Sequence, residues 1–247
     1  MNHPEGISME PVPAASVDQK SVAAVLASLV ASYPRADFAA DVGLLLEAPE
    51  LTLSDELRAL LREALADPVA LDRWRSDYID LFDRGASRNP VHETEWARDR
   101  SLGKATELAD IAGFYRAFGV ELGGDGLARE MADHLAVELE FYGILLLKER
   151  YLLQVGDEDG VAIVRDARRK FLQCHLGTFA GAVATLPDVA GHPVFGPVFR
   201  WCADQVAADC LDLGANPVAV TRPDGAVENG GQEEGGTCCG ALGRSLA

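Results

Sequence analysis

The stretch EMADHLAVELEF, residues 130–141, sets Asp133, His134, Glu138 and Glu140 among apolar residues at helical spacing. Leu135, Leu139 and Tyr142 recur three and four residues apart, and Met131 extends the stripe toward the N-terminus. This spacing predicts one long, largely buried helix over about residues 126–155, closed by the turn GDEDG at residues 156–160. Charged groups on the core side of a helix are costly unless they are paired or used. The Asp133-His134 pair therefore has two readings. Either it belongs to a binding site, or it caps and pins neighbouring loops by hydrogen bonds with no ligand involved.

The flanking sequence is helical in both directions. Ser16 and Gln19 form a capping-box pattern, followed by Val22, Val25, Leu26, Leu29 and Val30, and Pro34 ends that helix. A short helix is expected over residues 38–47. A third starts near Ser54 with Leu57, Leu60, Leu61 and Leu65, and a fourth has Asp67 as N-cap and Pro68 at its first position. The face of the fourth is Leu71, Trp74, Tyr78, Leu81 and Phe82. Residues 84–100 are polar and aperiodic, which predicts a long loop. Periodicity returns with Leu108, Ile111, Tyr115 and Phe118. Gly119, Gly123, Gly124 and Gly126 then mark a hinge. Two more helices follow, one carrying Val161, Val164, Phe171, Leu172, His175, Leu176 and Phe179, the other over about residues 194–213. From Gly214 the composition turns to Gly and Glu and supports no core. The expectation is an all-α bundle of about eight helices spanning residues 16–213. Its N-lobe covers about residues 16–118 and its C-lobe about 125–213, with a flexible tail over 214–247.

Composition narrows the function. The chain of 247 residues carries a net charge of −17. That acidity argues against nucleic acid and anionic membrane surfaces and favours basic partners. The first residues hold no apolar signal segment, and the run 143–147 is too short to cross a bilayer, so a cytoplasmic location is expected. The five cysteines, Cys174, Cys202, Cys210, Cys238 and Cys239, do not form a disulfide framework or a CxxC metal site.

Catalytic signatures are missing. There is no GxxxxGK[ST] and no GxSxG, and the glycines near Gly123 follow a helix rather than a strand. His134, Glu138 and Glu130 lie one turn apart and form a conceivable metal face, but neither HExxH nor Glu-x-x-His is present. His175 reads as a core histidine, because its neighbour Cys174 points elsewhere on a helix. Trp74 and Tyr78 taken alone read as core aromatics.

Four segments together resemble the TorD/DmsD/NarJ type of redox-enzyme maturation chaperone. They are WRSDYIDLF (74–82), DIAGFYRAFGVEL (110–122), EMADHLAVELEF (130–141) and KFLQCHLGTFAGAV (170–183). Within them, Tyr78-Leu81-Phe82, Tyr115-Phe118-Gly119, Glu130-Asp133-His134 and Phe171-His175-Leu176 match the pattern of that family. Met131 stands where the family often has proline, and the C-terminal Gly/Cys tail is outside the common pattern. The resemblance is nearest to the branch serving type II dimethyl sulfoxide reductase enzymes, which act on nitrate, selenate, chlorate, dimethyl sulfide or ethylbenzene.

The resemblance implies a non-enzyme without a cofactor of its own. It implies binding of an apo molybdopterin-containing catalytic subunit, and of its twin-arginine leader in many members, before export. On this reading Trp74, Tyr78, Phe82 and Tyr115 line an apolar groove, Asp133 takes an arginine, and His134 and Glu138 share the cleft. The hinge glycines permit segment exchange between protomers, so monomer and dimer both stay open. A helical metal-binding protein using His134 and Glu138, and an adaptor subunit of a redox complex, stand as alternatives.

Overall fold

The computed structural model describes residues 14–96, 103–121 and 131–221, with side chains from Val17 onward. Among these residues every regular element is helical, and the only pairing of extended backbone is an isolated antiparallel bridge between His92 and His134. The chain opens with α1 (Ala14–Val30), α2 (Phe38–Leu46), α3 (Asp55–Ala66) and α4 (Pro68–Tyr78). Local chemistry sets their ends. Ser54 accepts from the Leu57 N–H at 3.2 Å and starts α3. Asp67 ends α3 and starts α4, accepting from the Val69 N–H at 2.9 Å with Pro68 at the first helical position.

A wide π turn, Ile79–Asp83, continues α4, and the polar segment beyond it contains a 3-10 turn at Glu93–Glu95. Then come α5 (Gly103–Ala117), α6 (Leu135–Val155) and α7 (Glu158–Phe171). A second π turn, Leu172–Leu176, joins α7 to α8 (Gly177–Ala184), followed by the short α9 (Pro187–Ala190) and by α10 (Phe195–Leu213). The α9 turn has no counterpart in the hydrophobic pattern. A glycine follows each π turn, two residues past the first and directly after the second, for one steric reason. A Cβ on Gly85 would strike the Leu81 carbonyl oxygen, and one on Gly177 would strike that of Leu172.

Two sequence expectations need correction. The helix expected from residue 126 begins at Leu135, with Met131–Asp133 in a turn before it, and Met131 is 52% exposed rather than part of the stripe. Residues 84–100 do form a loop as far as they are described. The loop runs through the interior, however, with Asn89, Val91, Glu93, Thr94 and Trp96 buried. Gly123, Gly124, Gly126, Glu130 and the tail from residue 222 lie outside the described residues.

α1 runs antiparallel along α6. Asp18 pairs with Arg150 at 2.6 Å near one end, and Gly143 faces Ala24 further along. One apolar cluster extends from Val17 to Ala215 and takes residues from both sides of the connection at Gly119. The expected N-lobe and C-lobe therefore share a core, because α1 packs on α6 across the proposed boundary. No described helix is long and apolar enough to cross a membrane.

Inside this core sits an ion network. The Arg168 side chain, 1% exposed, donates through Nη1 to Glu149 Oε2 and lies 3.0 Å from Asp209 through Nε, close enough for charge pairing but misaligned for a hydrogen bond. Arg165 reaches Glu149 at 2.5 Å, and Lys20 reaches Asp209 and Asp212, each at 2.6 Å. Three cations meet three carboxylates, so the network ties α1, α6, α7 and α10 together without net charge. Removing a central charge strands its partners in low dielectric. Arg168→Met should cost about 3–5 kcal/mol, read as a lower urea midpoint with an unchanged m-value. Arg165→Met should cost less, because its side chain is 18% exposed.

Candidate functional site

Residues 91–93 pair antiparallel with residues 133–135. The Glu93 N–H donates to the Asp133 carbonyl at 2.8 Å, and the Leu135 N–H donates to the Val91 carbonyl at 2.9 Å. This pairing explains the late start of α6. Backbone groups engaged by another segment are not free to join a helix. His134, extended at φ −76° and ψ 135°, becomes the N-cap instead.

Its imidazole does the capping. Nδ1 accepts from the Ala136 N–H at 3.1 Å, so the proton sits on Nε2, which donates to the Tyr78 hydroxyl at 3.2 Å. Asp133 binds the inner loop. It accepts from Thr94 Oγ1 at 2.5 Å and from His92 Nδ1 at 3.2 Å. The His92 ring stands edge-on to His134 at 5.1 Å, and its side chain is 30% exposed where that of Asp133 is 1% exposed. Glu93 accepts from His175 Nδ1 at 3.0 Å, and His175 Nε2 lies 3.8 Å from Asp110 of α5. Tyr115 donates to the Ala132 carbonyl at 2.7 Å. Glu138, fully buried, lies beside Glu93 and Tyr115, and neither carboxyl oxygen makes a hydrogen bond of good geometry.

These surroundings set the charges. Burial, reinforced by His92, lowers His134 to about 3, so it is neutral. Burial also acts against the Asp133 carboxylate, but the hydrogen bonds from His92 and Thr94 outweigh it and hold the group below its ordinary 3.8. Burial, then the Glu93 and Asp133 charges, raise Glu138 well above its ordinary 4.5. Burial and the neighbouring Glu93 likewise raise Glu107. The node is thus rich in carboxyl groups, and its main partners are imidazoles and hydroxyls.

Trp74, Tyr78, Phe82, Tyr115, Asp133, His134 and Glu138 are all buried. Tyr78, Tyr115, Asp133, His134 and Glu138 converge on the node. The aromatic face does not stand open as a groove. Trp74 packs on Phe38 at 5.4 Å and Phe195 at 5.7 Å, and Phe82 packs on Phe195 and on Phe199 at 5.3 Å. α10 covers it, a fact that periodicity within α4 does not contain. Gly119 has φ +68° and ends α5, where the Val120 N–H reaches back to the Tyr115 carbonyl. A helix stop is therefore its structural role, and the three other hinge glycines lie outside the described residues.

Sequence reasoning missed His92, Glu93 and Thr94. Their signal was the dense string HETEW, in which a tryptophan sits among polar residues inside an apparent surface loop. His175 is the buried, hydrogen-bonded core histidine expected. Both nitrogens of His134 are engaged, which takes it out of a metal site. Among the described residues no group of three or more His, Cys, Asp or Glu is placed to hold a metal.

The pattern of the family described as nitrate reductase delta subunit matches residues 50–185. That window contains every node residue named above and leaves out α1 and α10. The chain is 32% identical over 136 residues to a chlorate reductase assembly chaperone protein of Ideonella dechloratans, covering 55% of this chain and 65% of that protein. It is 31% identical over 121 residues to a selenate reductase assembly chaperone protein of Thauera selenatis, covering 49% of this chain and 61% of that protein. The matched region therefore spans just under two thirds of each relative.

Glu138 gives the node a testable pH response. Folded protein keeps a proton that the unfolded chain releases near its ordinary 4.5, so the contribution of Glu138 to stability is full below that pH and is lost as pH rises. His134 acts in the opposite sense, adding stability with rising pH between about 3 and 6.5. Glu138→Gln removes only the first effect. Its stability relative to the wild type should grow as pH rises above about 4.5, by up to ~1.4 kcal/mol per pH unit. Urea titrations between about pH 5 and 8 measure this, and a pH-independent difference would show that Glu138 ionises freely in the folded state.

Proposed function

Because the chain belongs to the nitrate reductase delta subunit family, we propose that it is a cytoplasmic assembly chaperone for the catalytic subunit of a molybdopterin oxidoreductase. It acts as a chaperone and not as a catalyst. It binds the subunit in its apo form, before cofactor insertion, and engages the basic twin-arginine leader of that subunit. The observation that carries this reading is the convergence of the four family segments on one buried acidic node. Tyr78, Tyr115, Asp133 with His134, and His175 come from distant parts of the chain and meet there.

The electrostatics suit a guanidinium. Asp133 is ionised and held by an imidazole and a hydroxyl. An arginine offers a carboxylate two parallel hydrogen bonds in which both partners are charged. Access requires the partly exposed His92 to swing away from Asp133. The net charge of −17 steers a basic leader toward the protein before contact. The aromatic residues Trp74, Tyr78 and Phe82 are covered by α10, so they form a peptide groove only if α10 shifts. As packed, Phe82 and Phe195 stand against Tyr78, whose hydroxyl meets His134.

Two measurements test the reading. Affinity purification from cells expressing the client, with mass spectrometry of the bound chain, should recover a cofactor-free molybdoenzyme catalytic subunit. Recovery of none would reject the proposal, and recovery of only the mature, cofactor-loaded enzyme would favour an adaptor subunit. Asp133→Asn should weaken binding of a twin-arginine leader peptide by about 1–3 kcal/mol. Unchanged affinity in calorimetric titration would remove Asp133 from recognition.

A further inference from the structure

The carboxyl groups of the node continue past Asp133 onto α5. Glu107 and Asp110 lie one turn apart on that helix, and Asp110 is 38% exposed, whereas Glu93 and Glu138 are buried. Glu107 is half-buried, and one of its carboxyl oxygens is shut off from solvent without a hydrogen-bond partner. Burial raises Glu107, and the nearby Glu93 charge adds to the effect. Deeper still, the fully buried Glu138 carboxyl group faces that of Glu93 and has no hydrogen bond of good geometry. Among the described residues, the ion-pair partners of Glu93, Asp110 and Asp133 are His92 and His175, and Glu107 and Glu138 have none. Five carboxyl groups thus share two imidazoles, with no lysine or arginine among them. The network around Arg168, by contrast, carries its own cations.

We propose that Glu107 and Asp110, backed by Glu93, form a second guanidinium subsite beside Asp133, so that the node takes two arginine side chains of one peptide. This rests on the reading of Asp133 as an arginine acceptor. The missing cation is the first argument, since buried carboxyl groups without one are costly and an arriving cation offsets the cost. The kind of cation is the second. Among the described residues no group of these side chains is placed to hold a metal ion. A guanidinium is planar and has five donors, so it can bridge acceptors on two elements, here Glu107 of α5 and Glu93 of the inner loop. Exposure is the third. His92 beside Asp133 and Asp110 beside His175 are both partly exposed, so the node meets solvent next to each acceptor. Neighbouring peptide residues have Cα atoms about 3.8 Å apart, and two long arginine stems let their heads settle on separate carboxylates.

Calorimetric titration reads the two subsites. The probe is a synthetic peptide with two adjacent arginines before an apolar run, compared with versions in which either or both are glutamine. The wild type should bind the two-arginine peptide about tenfold more tightly than either single-arginine peptide. Glu107→Gln should abolish that advantage, so that the two-arginine peptide binds no better than the tighter single-arginine one. Asp110→Asn should weaken it in the same direction, and decides alone if Glu107→Gln misfolds by circular dichroism. Glu56→Gln removes the same charge from an exposed position on α3 and should change affinity by less than about twofold. An equal loss in Glu56→Gln would reduce the effect to general steering and overturn the proposal. An advantage that survives Glu107→Gln and Asp110→Asn but disappears in Asp133→Asn overturns it too, and leaves the reading of Asp133 standing. If the wild type binds the peptide without arginines as tightly as the others, both fall.

Discussion

The pairing of residues 91–93 with 133–135 is the constraint on which the rest of the site depends. Two backbone hydrogen bonds hold an irregular segment inside the core, where unpaired amides and carbonyls would be costly. The pairing stops α6 at Leu135, turns His134 into a cap and brings His92 and Thr94 onto Asp133. Asp133 therefore serves the fold twice, through its carbonyl to Glu93 and through its carboxylate to the loop. Loss of the carbonyl contact would free Glu93, the partner of His175.

A π turn lies beside each of the other two partners. A π turn inserts one extra residue into a helical turn and so rotates the side chains that follow. One turn follows Tyr78 and the other contains His175. In both cases the widened turn leaves a carbonyl in the space of a later Cβ, and glycine is the residue that fits. The second turn therefore changes the register at which His175 reaches the node, whereas Tyr78 precedes the first turn and keeps the register of α4.

The node and the ion network around Arg168 solve the problem of buried charge differently. Glu149 and Asp209 are neutralised by arginine and lysine, and that network joins four helices. Near Asp133 the partners are imidazoles and hydroxyls, and burial with the neighbouring carboxylates raises Glu138 well above its ordinary value. The carboxylates around Arg168 already have cations beside them. The contrast is why the first cluster, and not the second, is the one proposed for recognition.

Much of the fold was legible in the pattern of residues. Hydrophobic spacing marks the helices, and Ser54 and Asp67 with Pro68 mark two starts. These are local signals, carried by near neighbours in the chain and read from the period of a helix. Tyr78, Tyr115, Asp133 and His134 stand out as a set only through the resemblance to the family pattern. The tertiary structure decided the rest. It buried a polar loop by pairing it with residues 41 positions away, covered the aromatic face of α4 with α10, and joined both expected lobes in one core. Each outcome rests on what packs against a face, and the helical period shows only which face is apolar. Acidic composition and the order of the motifs were settled by the sequence itself. Which carboxyl groups ionise, and whether His134 can accept a ligand, depends on burial and hydrogen bonds between segments that only folding brings together.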